Sequence, residues 1–147
     1  MDIEHRFDER ARRIFMTVGG AATGRAVAGH IAGLVAARPE LTGWDWIQDV
    51  RESSGEVDNA DIAVVAEAFA VAPPGPCWTI FVSHDRNFGL WCKVMDVMFQ
   101  GRQHRAVLSP EAAVILLDSL RATTPAPATS RESEQQVGRS SGGSSGR

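Results

Sequence analysis

Cys77-Trp78-Thr79-Ile80-Phe81-Val82-Ser83, followed by the polar His84-Asp85-Arg86-Asn87, opens the stretch that decides the fold. From Cys77 to Leu120 a strand, a polar loop and an amphipathic helix follow one another twice. The apolar run 77–83 reads as an inner strand, and beyond the loop Phe88, Trp91, Cys92, Met95, Met98 and Phe99 recur at helical spacing. The second unit is a strand from His104 to Leu108 and a helix opened by Ser109-Pro110-Glu111. There Ser109 takes the capping position, Pro110 the first helical one, and Leu116, Leu117 and Leu120 face inward.

Upstream of Cys77 the pattern continues. Pro73-Pro74-Gly75-Pro76 stops a helix that begins near Asp58, whose side-chain oxygen can cap free amides, with Asp61 three residues on and an inward stripe of Ile62, Val65, Ala66 and Phe69. Ser53-Ser54-Gly55 is turn chemistry after a strand over Trp44 to Val50. Before that strand, Ala22 to Ala37 forms a helix with Val27, Ile31, Leu34 and Val35 on one face, ended by Pro39. Ile3 to Phe7 and Arg13 to Val18, around Asp8-Glu9-Arg10-Ala11, predict an antiparallel hairpin. The order is ββαβαβαβα, and strands alternating with helices require crossover connections. The expected fold is therefore α/β, a single domain with a mostly parallel five-stranded sheet and an N-terminal antiparallel hairpin.

The 147 residues, 44% hydrophobic and 22% charged, are sized and balanced for one globular domain. That domain is expected over residues 1–122. Residues 123–147, rich in serine, glycine and proline, cannot bury enough surface to offset the entropy of ordering and are expected to form a disordered tail. A formal charge of −3 supplies no basic field, so nucleic acid is not an expected partner. Apolar runs fall short of the roughly 20 residues of a spanning helix, and the N-terminus is charged, which points to a cytoplasmic protein with no membrane span. Two cysteines, Cys77 on a strand and Cys92 on an apolar helix face, read as core residues rather than a disulfide framework.

In order, the N-terminal hairpin, a strand ending Asp49-Val50-Arg51, the capped helix with Asp58 and Asp61, Phe88-Gly89-Leu90 at a helix start and Ser109-Pro110-Glu111-Ala112-Ala113 at the last helix carry a family resemblance. Over Ile3 to Leu120 the chain resembles the anti-sigma-factor-antagonist, or STAS, group, also called SpoIIAA-like. The resemblance implies the same α/β fold and a bacterial, non-enzymatic interaction or regulatory module without a cofactor. In the regulatory members a phosphorylatable serine stands at the start of the helix that follows the Trp44–Arg51 strand. Here that start is Val57-Asp58-Asn59-Ala60-Asp61, with no hydroxyl. A shifted register would make Ser53 or Ser54 the phosphoacceptor, but a plain turn accounts for them better, and the phospho-switch is not carried over.

Ligands of open α/β sheets bind beyond the carboxyl ends of the strands. That edge collects Asp49, Arg51 and Glu52 from one loop and His84, Asp85, Arg86 and Asn87 from another. Two readings follow. A protein partner, still unidentified, would be held by Asp49, Arg51, His84, Asp85 and Arg86, without a pocket for a drug-sized molecule. The alternative is a carrier or sensor of a small apolar or amphipathic ligand between the Trp91 helix and the sheet, in a cavity of several hundred cubic ångströms lined by Phe88, Trp91 and Met95. The bland counterparts are Asp85 as a helix cap, Arg51 in a local ion pair and the aromatic stripe as plain core.

No catalytic set is expected, because Cys92 shares its stripe with Phe88, Met95 and Phe99 and a nucleophilic thiolate needs exposure and a base. His5, His30, His84 and His104 show no ligand spacing, so no metal is expected. Gly19-Gly20 with Gly24 reads as a strand-to-helix turn. Ala22, Ala26, Gly29 and Gly33 form a small-residue face expected to pack on the sheet, with a homodimer contact as the alternative. Arg6, Arg10, Arg12 and Arg13 are expected on a solvated hairpin edge.

Overall fold

The computed structural model describes residues 2–53, 57–71, 73 and 75–124. Ile3–Asp8 (β1) and Arg13–Val18 (β2) pair antiparallel, in register from Ile3 opposite Val18 to Asp8 opposite Arg13. Their turn is closed by Ala11 N donating to Asp8 Oδ1 at 3.0 Å and by Arg12, which takes a φ of 52°. Asp45–Asp49 (β3), Cys77–Val82 (β4) and Arg102–Val107 (β5) then add in parallel, giving the spatial order β1-β2-β3-β4-β5. The expected α/β topology, one mostly parallel five-stranded sheet with an antiparallel N-terminal hairpin, is the observed one.

The connecting helices are Gly24–Ala37 (α1), Asn59–Ala68 (α2), Phe88–Met98 (α3) and Pro110–Thr123 (α4). Side-chain oxygens cap three of them: Thr23 accepts from Ala26 N, Asp58 from Asp61 N and Ser109 from Ala112 N, each satisfying an amide that has no intrahelical acceptor. The sheet is covered on both faces. Ile14, Met16, Val18, Trp46 and Phe81 meet the buried sides of α1, α2 and α3, whereas Ile47, Trp78, Ile80 and Val82 meet Ala113 and Leu117 of α4. Every residue of β4 is consequently buried, which is why its sequence reads as a continuous apolar run.

Several local expectations need correction. Pro39 does more than end α1: it opens a 3₁₀ turn, Pro39–Gly43, whose Leu41 carbonyl accepts from Nε1 of the fully buried Trp46 at 3.0 Å. Strand β5 begins at Arg102 rather than His104 and leaves Leu108 outside, 71% exposed. Arg13 is no part of a solvated edge; it is buried and pairs with Asp118 of α4 at 2.7 Å. Asp45, which interrupts two tryptophans in sequence, is also buried, gripped by Arg121 at 2.6 and 2.8 Å and by Trp78 N at 3.1 Å. Of the small-residue face, Ala26, Gly29 and Gly33 point to solvent, and a Cβ added at either glycine would touch nothing. The apolar stripe of α1 already covers the sheet, so this opposite side meets no packing partner among the described residues. Met98 lies off the buried stripe of α3 and is 37% exposed. Ser54 and Gly55, Pro74, and residues 125–147 with the expected tail lie outside the described residues.

Candidate functional site

At the carboxyl edge, parallel pairing of β3 with β4 sets Asp49 beside Val82 and so brings the loops after both strands together. Asp49 and Arg51 close on each other: Nε donates to Oδ1 at 2.9 Å, Nη2 to Oδ2 at 2.7 Å, and Arg51 N to Oδ1 at 3.2 Å. The guanidinium hydrogen bonds hold the Asp49 carboxyl below the usual carboxylate range, and the same pairing raises the Arg51 guanidinium. Asp85 is likewise engaged locally, its N donating to Ser83 Oγ at 3.1 Å and its Oδ1 accepting from Asn87 N at 2.9 Å. The edge therefore offers fewer free groups than its sequence suggests. His84 and Arg86 are exposed and form no hydrogen bond among the described residues, while Phe88 and Trp91 are half-buried and turn inward.

Beneath this edge a cavity of about 520 Å³ lies between the sheet and α1, α2 and α3. Phe88, Trp91 and Met95 line it from α3 with Phe99 just beyond, Ile62 and Val65 from α2 with Phe69 just beyond, and Val27, Ala28 and Ile31 from α1. Val50, Ser53 and Asp85 line the end at the carboxyl edge, and Arg102, the first residue of β5, belongs to the opposite end. Ser53, one of the two serines weighed as a phosphoacceptor, is half-buried, its N donating to Val50 O at 3.1 Å; the start of α2 carries Asp58 and Asn59 instead of a hydroxyl.

The sheet side of the cavity is polar in a way the sequence reading missed. Gln48, Thr79, Ser83, Arg102 and His104 are all buried and all line it. Register explains the grouping, since Thr79 stands beside Trp46 on one neighbour and His104 on the other, and Gln48 beside Phe81. Arg102 and His104 share a face with Thr79 through the two-residue period of a strand. Burial pushes His104 down to about 4, against the pull of Asp96, whose Oδ1 meets Nδ1 at 3.0 Å; the ring is neutral near pH 7. The sequence signal was the alternation His104-Arg105-Ala106 with Arg102 two residues earlier, unreadable until the strand start was known.

Cys92 is buried outside the cavity lining, and burial pushes its thiol up to about 11; burial also raises Cys77. Neither meets the requirement of a thiolate nucleophile. The fold does join two of the scattered histidines, His5 Nδ1 lying 3.1 Å from His30 Nε2, yet among the described residues no group of three or more potential metal ligands forms. No helix among the described residues is long and apolar enough to cross a membrane. No protein-family model matches the chain, and no curated protein sequence is significantly similar to it, so the cavity and its lining are what a functional reading has to rest on.

Proposed function

We propose that the chain is a non-enzymatic carrier or sensor that holds one small amphipathic molecule in the cavity between α3 and the sheet. The observation that carries this is the cavity itself: about 520 Å³, lined by Phe88, Trp91 and Met95, within the roughly 300–1,000 Å³ of small-molecule sites. A chain that used these side chains only as core would close the space, because interiors pack to crystal-like density. Native mass spectrometry of the protein from its own cells should show added mass that denaturation releases. Titration with the neutral fluorophore N-phenylnaphthylamine should give one saturable site that quenches Trp91. A bare mass together with no saturable dye binding would overturn the reading.

A second reading keeps the protein partner at the carboxyl edge, in line with the STAS resemblance. Its support is that His84 and Arg86 are exposed without hydrogen bonds among the described residues, beside a mouth that contains Asp85. Capture of a stoichiometric partner chain that is lost with His84→Ala and Arg86→Ala would favour it.

A further inference from the structure

From the polar end of the cavity we infer that its occupant is an amphiphile with a carboxylate head, an assignment that rests on the small-ligand reading above. Arg102 is 3% exposed, and its partners are neutral groups, four bonds to oxygens and the Cys77 thiol beside it. Nη1 donates to Trp78 O and Thr79 Oγ, both at 3.0 Å, and Nη2 to Thr42 O at 2.9 Å and Trp44 O at 2.7 Å. Its Nε is buried with no acceptor. Asp45, the buried acid of the same region, is already committed to Arg121 and to Trp78 N. A guanidinium does not lose its proton in a protein, so a full positive charge stands at the closed end of an apolar cavity with no carboxylate bonded to it.

The neighbouring groups transmit that charge to the space above. Thr79 Oγ accepts from Arg102 Nη1, which leaves its own proton to donate and polarises it. The side-chain amide of Gln48 lines the cavity and makes no hydrogen bond among the described residues. Both supply donors where an anionic oxygen would be stabilised by Arg102. His104 offers only an acceptor at Nε2, because Nδ1 is held by Asp96; alone it would suit a hydroxyl or amide head. The charge of Arg102, to which no carboxylate is hydrogen-bonded, is what selects the anion. Along β4 the lining runs from Thr79 to Ser83, about 13 Å at the rise of a strand, which suits an alkyl chain of moderate length lying between α3 and the sheet.

The test compares decanoate, decanol and decyltrimethylammonium by calorimetry on the full chain. Decanoate should bind about tenfold or more tighter than decanol, the step expected of one charge-assisted hydrogen bond, and the cation should be weakest. Thr79→Val should bring decanoate to within a few-fold of decanol, and an undiminished preference for decanoate in that variant would overturn the role of Thr79; if that variant does not fold, the three heads on the unaltered protein decide. Equal affinities, or decanol binding best, would overturn the carboxylate while the cavity reading stands. The same holds if the dye binds and none of the three does. If dye and amphiphiles all fail, both fall together.

Discussion

Replacing Ala28 by leucine tests whether the space between α1 and the sheet is open or is filled as core. Ala28 is 3% exposed and lines the cavity. Leucine adds three carbons, and at about 0.8 kcal/mol per buried carbon the transfer gain is about 2.4 kcal/mol. Ordering the longer side chain returns about 0.5–1 kcal/mol of that, leaving a net stabilisation of about 1.5 kcal/mol. The same substitution in a filled core would force neighbours off their rotamers and cost about 1–3 kcal/mol. The sign therefore separates the two cases. With a urea m-value of about 2 kcal/mol/M, the unfolding midpoint should rise by about 0.7 M, and N-phenylnaphthylamine affinity should fall as the leucine takes up its volume. A midpoint that drops by about 0.5 M or more with dye binding intact would refute the open cavity and the function built on it.

Two further outcomes concern the charged groups that the fold buries. His104 is depressed to about 4 in the folded chain against an ordinary value near 6.5, so the unfolded chain binds the extra proton between these limits. Stability should be fully present above about pH 6.5 and fall by about 3 kcal/mol by pH 4, and His104→Gln should flatten that part of the profile in urea titrations at stepped pH; an unchanged slope would contradict it. Arg121→Met should leave the buried Asp45 without its cation and cost about 3 kcal/mol in thermal or urea unfolding, whereas a loss under about 0.5 kcal/mol would show that Trp78 N alone suffices.

Much of the fold is written locally. The caps Asp58 and Ser109 and the turn Asp8 to Ala11 all act within a few residues, and each stands where its chemistry requires, whereas α2 ends at Ala68, before the prolines expected to stop it. The apolar stripe of α3 was legible for the same reason, and so was the cavity wall of Phe88, Trp91 and Met95 that it forms. The polar cluster at the carboxyl edge was less so. Asp49, Arg51 and Asp85 are indeed at one edge, but Arg51 and Asp85 are spent on partners two residues away, the bland possibility that sequence could name and geometry alone could choose.

What the chain determined by itself is thus the order of elements, their parallel connection and the helix face that meets the sheet, because periodicity and capping are short-range properties. What only the tertiary structure decided is which charged residues go inside. Arg13 was expected at a solvated edge, and nothing local marked Asp45, Arg102 or His104 for burial, because burial of charge depends on partners away from the immediate sequence: Asp118, Arg121, the carbonyls of Thr42 and Trp44, and Asp96. The polar end of the cavity exists only through those long-range pairings and the register of β3, β4 and β5, so no local pattern could announce it.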